Sequence, residues 1–211
     1  VLLNTRLRSR DAAYVLSQSD SSVLITHDVC GPIDYLGMVR DMMSLPDTGA
    51  RVSDPRFAAL RSVIVVGHAA PGTVPFADLS ETAHQVTDAE LQARSDSVTQ
   101  ADPVFIMYTS GTTGLPKGAV HGHQLIRNVE ERGFRMAITP NDTILNYLPL
   151  FHAFGYSEGA LMSIVTGARQ VVTQTFEPDA CLELIEAEGV SLIHGFEAHM
   201  KGLSEAQEAR P

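Results

Sequence analysis

Short apolar runs alternate with amphipathic segments along the whole chain. Runs rich in β-branched residues predict strands, and the run at 62–66 has the pattern of a strand buried on both faces. Segments with apolar residues three and four positions apart predict helices between these strands. The predicted strands are 23–26, 62–66, 104–108, 143–148, 169–173 and 190–194, and the predicted helices are 10–19, 33–43, 123–136, 156–165 and 178–188.

This alternation predicts an α/β fold in which mostly parallel sheets are covered by helices. Residues 46–56 have the composition of a loop, and the polar segment 78–97 is expected to form short surface helices. The segment at 119–134, AVHGHQLIRNVEERGF, is predicted to be helical. No internal repeat, low-complexity tract or interdomain linker stands out, so residues 1–211 are treated as part of one domain.

Composition and charge limit the kinds of partner. The chain is 44% hydrophobic and 19% charged, which is typical of a globular protein. Its formal net charge of −10 argues against nucleic acid or an anionic membrane as the main partner. The longest apolar stretch, 159–168, is too short for a transmembrane segment, and the first residues do not resemble a signal peptide. Cys30 and Cys181 form no CxxC pair, which favours a reduced, cytoplasmic location.

A loop rich in glycine and hydroxyl residues, YTSGTTGLPKG at 108–118, follows the predicted strand 104–108. Its glycines allow the backbone to approach a ligand closely, its hydroxyls donate hydrogen bonds, and its lysine adds a positive charge. Successive amides in such a turn bind anions, so the loop is predicted to hold a polyphosphate. The spacing matches neither the Walker pattern nor the dinucleotide-binding G-x-G-x-x-G pattern.

The eleven residues resemble, position by position, the phosphate-loop signature of the adenylate-forming superfamily. This superfamily comprises acyl-CoA synthetases, luciferases and the adenylation domains of peptide synthetases. The resemblance implies that the loop wraps the β- and γ-phosphates of ATP, and that Lys117 also serves as a catalytic residue. The implied nucleotide-binding residues are Thr109, Ser110, Gly111, Thr112, Thr113, Gly114 and Lys117.

A second segment, LPLFHAFG at 148–155, resembles the superfamily signature in which a histidine opens a helix beside the acyl pocket. The resemblance implies that His152 is catalytic and that His152, Phe154 and Gly155 contact the substrate. The segment has no carboxylate before Glu158, and a buried ammonium without a counter-charge is costly, so an α-amino acid substrate is not expected. Residues 189–203 also match the superfamily, although Glu197-Ala198 replaces the usual Pro-Thr.

The resemblance as a whole implies an acyl-CoA synthetase that uses ATP, Mg²⁺ and coenzyme A to activate a fatty or other acyl acid. The 211 residues would be a partial N-terminal AMP-binding domain that lacks its start, the later motifs and the C-terminal lid, and would be inactive alone. Two alternatives stay open, namely a non-catalytic nucleotide-binding module and an adenylating enzyme with another acceptor. His121 and His123 lack a third ligand, so no metal-binding residue is assigned.

Overall fold

The computed structural model describes residues 1–109 and 114–210, which fall into two compact units. The first unit contains Val1, Leu3–Asp102 and the described part of Tyr108–Val120. The second contains Leu2, Pro103–Met107 and the described part of His121–Pro211. The chain therefore passes between units inside strands rather than inside a polar linker, and the sequence carries no linker signal at these points.

The first unit is built on a three-stranded parallel sheet. Its strands are β1 (Val23–His27), β2 (Val29–Cys30), β3 (Ile33–Asp34), β4 (Ser62–Val66) and β5 (Val74–Pro75), and its helices are α1 (Ser9–Gln18), α2 (Tyr35–Met42), α3 (Leu79–Ala83) and α4 (Asp88–Asp96). The sheet order is β1-β4-β5, whereas β2 and β3 form a separate antiparallel pair. Short 3₁₀ turns occupy Pro55–Phe57 and Phe76–Asp78.

The core of the first unit explains why its sheet and helices pack as they do. Val63 and Val65 of β4 are fully buried, as the apolar run predicted, and Leu16 of α1 belongs to the same core cluster. Helix α2 begins two residues later than predicted because Ile33 pairs with Cys30 in the β2–β3 ladder. Its first turn is then capped by the Asp34 side chain, which accepts a hydrogen bond from the Gly37 N–H at 2.7 Å.

The second unit contains another parallel sheet, with strand order β10-β8-β9. The remaining strands of the chain are β6 (Pro103–Thr109), β7 (Lys117–Gly122), β8 (Thr143–Asn146), β9 (Arg169–Val172) and β10 (Leu192–Ile193). The helices are α5 (Gln124–Arg135), a π-helix (Gly155–Leu161), α6 (Met162–Thr166), α7 (Pro178–Ala187) and α8 (Glu197–Glu208). Strands β6 and β7 pair in a two-stranded sheet.

The predicted α/β class with mostly parallel sheets is confirmed, but several local predictions are wrong. The segment after the loop is a strand, β7, before α5 begins at Gln124, because pairing with β6 outweighs a helical pattern that contains two glycines. The predicted helix 156–165 is a π-helix followed by one α-helical turn and a half. The stretch just before Pro211, which looks helical in the sequence, is helix α8. Among the described helices, none combines the length and apolar character needed to cross a membrane.

The two cysteines are free thiols in different units. Cys30 lies in β2 of the first unit and is half-buried. Cys181 lies in α7 of the second unit and is only 1% exposed, within a core cluster that includes Leu145 and Leu203. Burial raises the pKa of the Cys181 thiol. The described structure therefore contains no disulfide between them.

Candidate functional site

The glycine- and hydroxyl-rich loop joins the end of β6 to the start of β7. The two ends of the loop, Thr109 and Lys117, form what is here called its neck. The Thr109 hydroxyl donates a hydrogen bond to the Lys117 carbonyl oxygen at 3.5 Å. Gly114 has φ of +121°, a value that favours glycine, and no atom lies within 4 Å of the position that a Cβ would take. The predicted residues Ser110, Gly111, Thr112 and Thr113 lie outside the described residues. The described residues thus place Thr109 next to Lys117 at the two ends of the predicted polyphosphate loop.

The Lys117 side chain is exposed at the first position of β7. In the two described ranges its ammonium has no ion-pair partner, whereas Lys201, the other lysine of the sequence, lies 3.6 Å from Glu205. An unpaired cation at the neck of such a loop is available to an anionic ligand. This arrangement fits the phosphate contact predicted for Lys117, and the contact stays a prediction.

The residue before the loop, Tyr108, is attached to helix α1. Its hydroxyl donates a hydrogen bond to Oε1 of Gln18, in the last turn of that helix. Partial burial raises the pKa of Tyr108, the nearby Tyr14 adds to the rise, and the neighbouring Ser19 hydroxyl opposes it. Sequence reasoning did not find this contact, because Gln18 is ninety residues away and belongs to no motif.

His152 lies in the turn between β8 and the π-helix. Its backbone N–H donates to the Pro149 carbonyl oxygen at 3.0 Å, and its Nδ1 accepts from the Phe154 N–H at 3.3 Å. A neutral imidazole that accepts at Nδ1 carries its proton on Nε2, so the exposed ring offers a donor at that nitrogen. The described contacts therefore fix the backbone of His152 and orient its exposed ring.

The start of the π-helix is held by the side chain of Asn146, which is 3% exposed at the carboxyl end of β8. Its Oδ1 accepts from the Leu148 N–H at 3.1 Å, and its Nδ2 donates to the Gly155 carbonyl oxygen at 3.4 Å. A Cβ at Gly155 would overlap the carbonyl oxygens of Pro149 and Leu148. Position 155 is buried and has no room for a side chain, so packing requires a glycine there. The predicted contact of Gly155 with the substrate stays a prediction.

Phe154 belongs to a cluster of aromatic rings in the second unit. Its ring meets His194 edge-on at a centroid distance of 6.1 Å and Phe196 at 5.3 Å. Both residues follow β10, which neighbours β8 in the sheet, so the cluster lies at the carboxyl ends of two parallel strands. Ligands of open α/β sheets bind at such edges. This position supports the substrate role predicted for Phe154.

Two buried polar side chains close to this cluster were missed by sequence reasoning. His194 Nε2 and the Tyr147 hydroxyl are both inaccessible to solvent and have no hydrogen-bond partner among the described residues. Burial lowers the pKa of His194 and raises the pKa of Tyr147 to about 12. Both groups are therefore neutral near pH 7. Nearby, Arg132 and Glu158 form an ion pair at 2.5 Å, so Glu158 already has a counter-charge.

The described residues do not form a protein-only metal site. No three histidine, cysteine, aspartate or glutamate side chains within 1–109 and 114–210 come together as metal ligands. His121 is instead stacked on Phe105 at a centroid distance of 4.7 Å. The Thr109 hydroxyl, a hard oxygen donor, is directed at a backbone carbonyl. These donors do not form a Mg²⁺ site by themselves.

A cavity of about 690 Å³ lies in the first unit, away from the predicted residues. Its lining contains both signs of charge, with Asp20, Arg51, Asp54 and Arg61 among its residues. Asp54 forms an ion pair with Arg56 at 2.7 Å, so one of the carboxylates that line the cavity already has a counter-charge. None of the residues predicted to bind nucleotide or acid lines this cavity.

Comparison with known proteins identifies the family to which these features belong. The family described as AMP-binding enzyme matches residues 1–211, and the chain belongs to this family. YngI of Bacillus subtilis (strain 168), a provisionally named acyl-CoA synthetase, is 32% identical over 199 residues, which are 92% of this chain and 36% of YngI. The acyl-CoA ligase sidI of Beauveria bassiana (strain ARSEF 2860) is 31% identical over 210 residues, which are 98% of this chain and 34% of sidI.

Solved structures show the same fold. The N-terminal domain of FACL13 from Mycobacterium tuberculosis matches 98% of this chain and 45% of its own, with a TM-score of 0.68 and 22% identity. The O-succinylbenzoate coenzyme A synthetase MenE from Bacillus subtilis, solved in complex with AMP, matches with a TM-score of 0.64 and 22% identity. The predicted resemblance is thus confirmed at the level of family and fold. The chain spans about a third of the length of these curated relatives.

Proposed function

We propose that this chain is part of the N-terminal domain of an acyl-CoA synthetase, which activates a fatty or other acyl acid with ATP and transfers it to coenzyme A. In the first step, a carboxylate oxygen attacks the α-phosphorus, and the bond to the departing pyrophosphate breaks. In the second step, the thiol sulfur attacks the acyl carbonyl carbon, loses its proton, and displaces AMP. Catalysis of such a reaction depends on positioning and charge stabilisation.

The observation that carries this proposal is the loop between β6 and β7, where Lys117 has no ion-pair partner among the described residues. Thr109 and Lys117 lie next to each other at the two ends of this loop, and the exposed Lys117 gives it one positive charge. This arrangement supports a role in holding the β- and γ-phosphates while pyrophosphate departs. The family match and the acyl-CoA ligases among the relatives favour an acyl acid as the group that is activated.

The second unit supports the acid and thiol side of the reaction. Phe154 and its aromatic neighbours offer an apolar surface at a sheet edge, and the exposed Nε2 of His152 lies two residues earlier. We assign Phe154 to the acyl group and His152 to the meeting point of acid and thiol. On this proposal the 211 residues alone do not complete the reaction, since the relatives are about three times as long.

The test separates the two half-reactions in the full-length protein. Lys117→Ala is expected to slow acid-dependent exchange of pyrophosphate into ATP by about 100- to 1,000-fold, the range for losing one donor to developing charge. Thioester formation from preformed acyl-adenylate should stay within about threefold of wild type, because no pyrophosphate is present in that step. Lys201→Ala, which removes the other lysine, is the matched control and should leave both half-reactions unchanged.

Two results would contradict the proposal. Equal loss in both half-reactions would remove the pyrophosphate role from Lys117. Absence of pyrophosphate exchange in the wild-type full-length protein across fatty and aromatic acids would favour a non-catalytic nucleotide-binding module. If exchange occurs, mass spectrometry of the product formed with coenzyme A or with a phosphopantetheinyl carrier protein identifies the acceptor.

A further inference from the structure

The phosphate loop is attached to the body of the first unit through the residue that precedes it. Tyr108 occupies the last but one position of β6, directly before Thr109 at the neck of the loop. Its hydroxyl donates to the side chain of Gln18, and this is a contact between residues ninety positions apart. The chain could have ended β6 with any apolar residue, whereas a phenol here forms a directional bond to a fixed helix.

The helix that accepts this bond is firmly packed. Its Val15 is fully buried and its Leu16 is 5% exposed, and Leu16 belongs to the core cluster that includes Val63 and Val65 of β4. Gln18 lies four residues after Tyr14, so both side chains lie on one face of α1. The Tyr108 hydroxyl is bonded to the Gln18 side chain, so the end of β6 is positioned by a rigid element.

We infer that Tyr108 and Gln18 are positioning residues for the phosphate loop, holding its neck in the geometry that binds the pyrophosphate part of ATP. This inference rests on the proposed function for its place in catalysis, but it concerns anion binding and can be measured without the reaction. The bond restrains the backbone at Thr109, where the loop amides begin. Losing it leaves the backbone at Thr109 with more conformations to restrict when the anion binds.

The primary measurement is the binding of inorganic pyrophosphate to the full-length protein by titration calorimetry. Tyr108→Phe, which keeps the ring and removes the hydroxyl, should weaken binding by about 3- to 10-fold, the range for one net hydrogen bond. Gln18→Leu should weaken it by a similar factor, and the double variant should be no weaker than either single variant. Gln18→Glu keeps an acceptor for the phenol and should restore binding to near the wild-type value.

A matched control uses the other phenol on the same face of α1. Tyr14→Phe removes a hydroxyl that forms no bond to the loop and should leave pyrophosphate binding unchanged. In the exchange assay, Tyr108→Phe should raise the KM for ATP and leave the KM for the acid unaltered, a split that a general loss of stability would not produce.

The outcomes distinguish this inference from the proposed reaction. Unchanged binding in both Tyr108→Phe and Gln18→Leu, losses that simply add in the double variant, or no pyrophosphate binding by the wild-type protein would each overturn the positioning role. Binding that follows the predicted pattern, together with no acid-dependent exchange in wild type, would support the positioning role and refute the synthetase function.

Discussion

Replacing Asn146 by leucine tests whether one buried amide holds the start of the π-helix that follows His152 and Phe154. Leucine is close to asparagine in size, so the change removes hydrogen bonds without leaving a large cavity. The Leu148 N–H loses its acceptor at 3.1 Å, and the Gly155 carbonyl oxygen loses a donor at 3.4 Å. Both Leu148 and Gly155 are buried, so water cannot replace the missing partner without local opening.

The expected cost follows from these two bonds. Leaving a buried backbone donor unsatisfied costs about 1–3 kcal/mol, and losing the longer second bond adds up to about 1 kcal/mol. The free energy of local opening should therefore fall by about 1–4 kcal/mol. Because about 1.4 kcal/mol corresponds to a tenfold change, amide exchange through this opening should accelerate by about 5- to several-hundred-fold.

Hydrogen exchange followed by mass spectrometry measures this effect in the full-length protein without assuming two-state unfolding. Peptides covering β8 and the π-helix should exchange faster in Asn146→Leu, whereas peptides covering β4 in the first unit should not change. Asn141→Leu provides the matched control, since Asn141 is exposed and its side chain accepts or donates no hydrogen bond in the described structure. Wild-type exchange rates in Asn146→Leu would refute the reasoning, because Leu148 would then have another acceptor.

Two further predictions concern titratable groups. The backbone N–H groups of His68 and Val29 donate to the Asp28 carboxylate and lower its pKa from 3.8 to about 2, so this stabilisation is present above pH 4 and is lost as the pH falls from about 4 to 2. The thermal midpoint of wild type should therefore fall more over this pH range than that of Asp28→Asn, and parallel curves would contradict the assignment. Tyr147→Phe removes a buried hydroxyl without a partner in the described residues, so the free energy of unfolding should stay unchanged or rise by up to about 2 kcal/mol. A decrease of more than about 1 kcal/mol would show that the hydroxyl has an acceptor.

Strand β4 is the one that the sequence located correctly to the residue. Its central positions, 63–65, are all buried and therefore all apolar, which makes the pattern distinct. Strand β7 was missed because its residues are mostly exposed, and its structure depends on pairing with β6 rather than on its own pattern. The π-helix was missed because a π-helix and an α-helix bury similar residues, and Asn146 fixes its start from another element.

The sequence also predicted only part of the candidate site. An eleven-residue signature is specific enough to indicate a polyphosphate loop and a family from residue types and spacing alone. The residues that support the loop and the aromatic cluster are not in any motif. Gln18 reaches Tyr108 across ninety positions, and His194 reaches Phe154 from a neighbouring strand, so these contacts exist only after the chain has folded.

The two thiols lie in different units, so thiol labelling can measure the opening of each unit separately. A thiol reagent that meets the folded chain should modify Cys30 promptly, since it is half-buried in a short surface ladder of the first unit. Cys181 is sealed in the core of the second unit and its raised pKa disfavours the reactive thiolate, so it becomes labelled only when that unit opens. The labelling rate of Cys30 therefore reports on the first unit. The slower labelling of Cys181 reports on the opening of the second unit, which contains the aromatic cluster.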